Sequence, residues 1–243
     1  MRKLLLVCGI LAGSFSSKGQ ILISLLLGDK LNSNKIEFGL TGGANFASIQ
    51  GLSGSKSTPL FNLGFYFDIK LKNSPHLLLN TGVLVKSSMG ASGITPYPLN
   101  NPDLDTLFKG GSVKRTLRYF NVPVLIKYKF KSNFFIETGV QLGLLYEAFD
   151  EFKQGVNHEE DLTFKNETRH NYHALDVGMI SGLGFKLMKG LGMTFGARYY
   201  YGLANINKST YNPSQYNRSL YLYACIPIGV GKSKKDREDQ NNN

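Results

Sequence analysis

Along Tyr119–Phe130 the side chains alternate, residue by residue, between an apolar and a polar series. Phe120, Val122, Val124, Ile126, Tyr128 and Phe130 fall on one phase; Tyr119, Asn121, Pro123, Leu125, Lys127 and Lys129 fall on the other. Successive side chains of a strand face opposite sides of a sheet, so this period of two predicts a strand with one apolar and one polar face. The same pattern predicts eight strands: Ile36–Ser48, Phe61–Leu71, Leu77–Met89, Leu117–Phe130, Phe134–Phe149, Tyr172–Leu187, Leu191–Ile206 and Leu220–Val230. Only Arg118, at the start of the fourth, puts a charge on an apolar phase.

The opposite phase carries Glu37, Asp68, Lys70, Lys86, Lys127, Lys129, Glu137, Glu147, Asp176, Lys186 and Arg198. It also carries most of the strand glycines, among them Gly39, Gly82, Gly139, Gly178, Gly182 and Gly196. On a water-facing surface glycine only weakens a strand. Inside a narrow closed barrel it makes room for long side chains from other strands, and an eight-stranded barrel is just wide enough for side chains to fill. The charged, glycine-rich face is therefore expected inside, with the apolar face outside against lipid. A soluble carrier barrel would have the reverse arrangement and a glycine-rich exterior.

The connections point the same way. Short turns at Lys72–Pro75, Lys131–Asn133 and Met188–Gly190 alternate with long polar segments at Ile49–Leu60, Gly90–Thr116, Asp150–Asn171 and Asn207–Ser219. Outer-membrane barrels have short periplasmic turns and longer external loops. The expected fold is all-β: an eight-stranded antiparallel transmembrane β-barrel with short periplasmic turns and long external loops. Aromatic residues on the apolar phase cluster near both ends of the strands, as in the girdles of such barrels. Pro123 removes one ladder donor in a structure with no free edge, which predicts a bulge or a local break in pairing around Asn121–Pro123.

Arg2 and Lys3 precede the apolar run Leu4–Ala12, which small and polar residues follow. That layout predicts a signal peptide over residues 1–19, and the run is too short to cross a bilayer as a helix. Residues 20–35 are then expected to form an N-terminal periplasmic segment, 36–231 the barrel, and 232–243 a charged periplasmic tail. Removing Arg2, Lys3 and Lys18 would lower the net charge from +11 to +8. It would also remove Cys8, leaving Cys225 with no partner for an intramolecular disulfide.

The candidate functional residues are the predicted lumen charges: Glu37, Asp68, Lys70, Lys127, Glu137, Asp176, Lys186 and Arg198. Buried charges must be paired, because an unpaired one is very costly. A structural network filling the lumen is expected, with Arg198 pairing to Asp176 or Glu137 from neighbouring strands. Water-filled channels need about sixteen to eighteen strands, so a porin role is disfavoured.

Two blocks resemble the PorT-like family of outer-membrane β-barrels. One is Arg118-Tyr119-Phe120-Asn121-Val122-Pro123-Val124-Leu125-Ile126-Lys127-Tyr128. The other runs from Asp176-Val177-Gly178 through Gly182-Leu183-Gly184-Phe185 and Gly190-Leu191-Gly192 to Arg198-Tyr199-Tyr200-Tyr201-Gly202-Leu203-Ala204-Asn205-Ile206. The resemblance covers Ile36–Val230 and implies a barrel in the outer membrane. The family name implies an accessory role in type IX secretion for some members. One departure is Pro227 in the last strand, followed by the tail, where such barrels often end on an aromatic residue.

Other chemistry has thin support. An outer-leaflet lipid hydrolase would need a Ser-His-acid constellation at the upper rim; His170 and His173 have the right place, but Ser181 lies deeper along the strand. His158-Glu159-Glu160-Asp161 could hold a divalent cation, although a solvated acidic loop is the plainer reading. Lys109, Lys114, Arg115 and Arg118 form a basic group suited to lipopolysaccharide head groups. Gly229-Val230-Gly231-Lys232 lacks the spacing of a phosphate loop. No cofactor and no nucleic acid are expected. The reading is a non-enzymatic structural or binding platform whose partners are outer-membrane lipid, lipopolysaccharide and envelope or secretion proteins.

Overall fold

A computed structural model describes residues 32–72, 74–155, 162–187, 192–209 and 213–228 of the chain. Its strands are β1 (Ile36–Gln50), β2 (Thr58–Lys70), β3 (Leu77–Ile94), β4 (Ser112–Lys129), β5 (Phe134–Gln154), β6 (Leu162–Glu167), β7 (Leu175–Lys186), β8 (Thr194–Gly202) and β9 (Tyr216–Pro227). All pairings are antiparallel. Pairing of β1 with β9 and of β5 with β7 closes eight of the strands into a ring; β6 attaches only to β5. The predicted signal peptide and tail lie outside the described residues, as does the acidic loop His158–Asp161.

The orientation follows the glycine argument. Ile126, Leu142, Leu144, Met179, Leu183, Phe195 and Leu222 on the apolar phase are all exposed on the outer wall, whereas Asp68, Lys127, Glu137, Asp176 and Arg198 are buried inside. The interior glycines lie in rows between large side chains. Phe135, Gly184, Gly196 and Tyr223 are successive partners across four strands. The Phe135 ring lies over Gly184, and the Tyr223 ring would stand 2.6 Å from a Cβ at Gly196. Any larger residue there would displace a ring from the lumen.

At the turn end of the β1–β9 seam two apolar-phase residues, Phe38 and Ile228, are buried. There Asn32 bridges the β1–β9 seam, accepting from Phe38 N at 2.8 Å and donating to the Ile228 carbonyl.

Bulges move two expected interior charges outward. The β2–β3 register shifts between Leu63 and Phe65, and Lys86, now opposite outward-facing Leu63, is exposed. The β4–β5 register shifts between Arg118 and Tyr119, and partly exposed Glu147 bonds Arg118 and Lys165. At Pro123 the ladder to β5 is unbroken, while pairing to β3 lapses between Thr81↔Val124 and Leu84↔Asn121. The N–H and C=O positions of one strand residue point to the same neighbour. The Pro123 carbonyl accepts from the Thr81 hydroxyl of β3 at 2.9 Å, so the missing donor also falls on the β3 side.

The long connections hold more structure than the alternation predicts. β3 and β4 run well into the segment 90–116, and β6 forms within 150–171. Between β3 and β4 lies a short helix, α1 (Pro102–Leu107). Asn101 Oδ1 caps it from Asp103 N and Leu104 N, with Pro102 in its first turn, as N-terminal capping favours. Crossing a membrane takes about ten tilted strand residues, yet β4 has 18 and β5 has 21. By contrast β7, β8 and β9 have 12, 9 and 12. The wall therefore rises on one side, carrying the β3–β6 sheet about 20 Å past the apolar band.

The interior is layered rather than polar throughout. Its loop end holds an apolar cluster that includes Met89, Leu117, Tyr119, Leu145, Phe152 and Ile180. Leu117, Tyr119, Leu145 and Ile180 stand on the interior phase, whereas Met89 is turned inward beyond a bulge of β3 and Phe152 lies past the predicted end of its strand.

Candidate functional site in the barrel lumen

In the ring, Glu137 of β5 is opposite Gly182 of β7, and Gly182 is opposite Arg198 of β8. With no side chain between them, the acid and the base meet across the glycine. Arg198 Nε donates to Glu137 Oε1 at 2.6 Å and Nη2 to Oε2 at 3.1 Å, a two-pronged pair. Both groups are almost fully buried. The pairing expected with Glu137 or Asp176 is thus made with Glu137, though from beyond the adjacent strand.

Four further side chains complete this layer. Lys127 Nζ reaches both Asp68 oxygens at 3.0 and 2.9 Å and lies 3.7 Å from Glu137. Asn80 donates to Asp68 Oδ1 at 2.6 Å and accepts from Arg198 Nη2 at 2.9 Å. The Tyr223 hydroxyl donates to Glu137 at 2.7 Å. Tyr223 also packs its ring under the guanidinium at 4.3 Å, and the Phe135 ring sits 4.6 Å from Lys127 Nζ. Two acids and two bases therefore balance, with every charge hydrogen-bonded, the condition under which buried ions are tolerated.

The other candidate charges lie elsewhere. Lys186 pairs with Glu37 nearer the turn end, and Tyr66 donates to Glu37 at 3.0 Å. Lys70 stands exposed at that mouth, outside the network. Asp176 lies toward the loop end, where Asn217 donates to its Oδ2 at 2.7 Å and its Oδ1 has no hydrogen-bond partner among the described residues. Uncharged Asn80, Tyr223, Tyr66 and Asn217 are the functional residues that a search for charges overlooks. Their positions on the interior phase were the available signal.

The model of the outer membrane protein beta-barrel domain matches residues 24–208, well over half of the chain. The chain belongs to that family. Among solved structures, this outer membrane beta-barrel is similar to Ail of Yersinia pestis in complex with the heparin analogue sucrose octasulfate. Identity is 10%, the match covers 80% of this chain and 99% of that one, and the TM-score is 0.40. It is also similar to Neisserial surface protein A, at 11% identity, covering 79% and 97%, with TM-score 0.41. A further similarity is to OprG from Pseudomonas aeruginosa, at 14% identity, covering 79% and 91%, with TM-score 0.33. No curated protein matches the sequence. The family and the exposed apolar belt place the chain in the cell outer membrane, with the short turns periplasmic and the long connections external.

On the external side Asp150 is the buried anchor. Arg115 Nε and Nη2 donate to it at 2.8 and 2.6 Å, and the Tyr97 hydroxyl donates at 2.9 Å. Asn166 of β6 in turn donates to Tyr97 at 3.1 Å, tying the β3–β4 connection to the β5–β6 hairpin. Burial, then the Asp150 charge, pushes the Tyr97 phenol up to about 12. The expected basic group is thereby divided: Arg115 is consumed by Asp150 and Arg118 by Glu147, while Lys109 remains exposed.

His170 and His173 are exposed at the loop end. Ser181 lies six residues beyond Leu175 along β7, about 20 Å away, where it hydrogen-bonds Thr138 at 2.8 Å. The structure does not assemble a nucleophile–base pair from them. Among the described residues no group of three His, Cys, Asp or Glu side chains is placed to hold a metal ion.

Proposed function

We propose that this barrel is a non-enzymatic platform in the outer membrane, whose external β3–β6 wall meets a partner on the cell surface. The observation that carries the reading is the one-sided wall. Four strands extend past the membrane, share an apolar core with α1 and are latched by Asp150. A connection built only to join two strands needs none of this. The lumen network acts in the same reading as structural filling that holds the platform upright. Outer-membrane lipid and lipopolysaccharide are the proposed surroundings, with exposed Lys86 and Lys109 as cations facing their phosphates.

The test is a strain lacking the gene, complemented either with the native chain or with a barrel whose residues 95–111 are replaced by a short Gly-Ser linker. Altered surface adhesion in the deletion, restored by the native barrel only, supports the platform. Lost protein secretion, restored by both forms, would instead favour the type IX accessory role implied by the PorT-like resemblance. Intact adhesion and envelope integrity in the deletion would remove the platform reading.

A further inference from the structure

Below the Arg198–Glu137 layer, a cavity of about 260 Å³ opens at the periplasmic end of the lumen. Lys35, Lys70, Lys127, Lys129 and Lys186 line it, with Glu37 and Asp68 as its carboxylates. Both acids are already committed. Asp68 is held by Lys127 and Asn80, and Glu37 by Lys186 and Tyr66. Lys35, Lys70 and Lys129 make no ion pair among the described residues. They come from the approach to β1 and from the ends of β2 and β4, so the ring itself converges them on one concavity.

Three uncompensated ammonium groups in one small recess repel one another. A concave site with low-dielectric walls also concentrates their field on whatever enters. An anion relieves the repulsion. Ammonium groups act as mobile point charges with three donors each, which suits a compact oxyanion of several charges. The ionic layer closes the inner end, so the site is built to hold its occupant rather than pass it on. We propose that this periplasmic mouth binds small multivalent oxyanions of the phosphate type through Lys35, Lys70 and Lys129.

The experiment places the purified barrel in phosphatidylcholine nanodiscs and titrates pyrophosphate by calorimetry at low ionic strength. Saturable binding is expected, weakened about tenfold or more in the Lys35→Gln/Lys70→Gln/Lys129→Gln variant. The matched variant Lys56→Gln/Lys153→Gln/Lys208→Gln removes the same charge from exposed positions on the external side and should bind as the native barrel does. Heat-modifiable gel migration checks folding; if the rim triple fails it, Lys129→Gln alone carries the test, with a loss of about threefold. Absence of saturable binding, or equal losses in both triples, overturns the proposal. Adding phosphatidylglycerol to the nanodiscs identifies the source of the phosphate. Weakened pyrophosphate binding would mean that lipid head groups occupy the same site, and unchanged binding would mean that it takes soluble anions.

Discussion

At the residue scale the lumen separates two kinds of buried carboxylate. Glu137 holds two cations, so Glu137→Gln leaves Arg198 and Lys127 short of a counter-charge in a dry interior. Breaking a buried pair from one side costs about 3–5 kcal/mol, and the denaturant midpoint in lipid should fall accordingly. Among the described residues Asp176 has no cation bonded to it, and both its Oδ1 and Asn217 Oδ1 lack partners. Asp176→Asn supplies a donor while removing a desolvated charge. It should be neutral or stabilising by about 1 kcal/mol; a loss as large as that of Glu137→Gln would show that Asp176 carries an essential charge. Glycine gives a third contrast. A Cβ at Gly182 would lie 2.9 Å from Arg198 Cγ and 2.6 Å from the Ala197 carbonyl, whereas at Gly42 on the outer wall it meets the flexible Leu63 side chain at 3.2 Å. Gly182→Ala should therefore lower the unfolding midpoint well below that of Gly42→Ala.

At the element scale the external connections depend on the Asp150 latch. Asp150→Ala leaves Arg115 and Tyr97 without their shared acceptor and frees the α1 segment from the β5–β6 hairpin. Limited proteolysis should then cut within residues 95–111 while the eight-stranded ring stays protected; unchanged protection would mean that the apolar cluster alone suffices. This element also marks where the sequence stops being legible. The eight ring strands were readable because lipid outside and charge inside impose a strict period of two. Above the membrane both faces of a strand meet protein or water, and the constraint lapses: the period of two marks neither β6 nor the upper parts of β3 and β4. Bulges hid Lys86 and Glu147 for a related reason, since one inserted residue reverses the phase without altering composition. Of the expected lumen charges, Asp68, Lys127, Glu137 and Arg198 meet in one layer and the others lie apart from it; Arg198's choice of Glu137 is not legible in the sequence, because it depends on which glycine stands between them. Pro123 was readable as a break in pairing, and its carbonyl contact with Thr81 shows which neighbour gives way.

At the scale of the whole molecule, the barrel is filled in successive layers, and that bears on conduction. From the periplasmic end come the lysine-lined mouth, the Asp68–Lys127–Glu137–Arg198 layer, then buried Asn45, Ser87, Asn121 and Asn217, and finally the apolar cluster. Asn45, Ser87 and Asn217 are wholly inaccessible to solvent. Linked bonds hold this middle layer: Asn45 donates to the Ser88 carbonyl at 2.6 Å, Asn121 to Ser87 at 2.8 Å, and Ser87 to Asn62 at 3.1 Å. An ion crossing the lumen would have to break all of these layers, not only the charged one. The native barrel should accordingly show no stable openings in planar bilayers. So should Asp68→Ala/Lys127→Ala, which removes one acid and one base together and keeps the net charge, although its thermal stability should fall. Steady conductance in that double variant alone would make the ionic layer a gate in an otherwise open path, and would require the amide and apolar layers above it to be permeable to water.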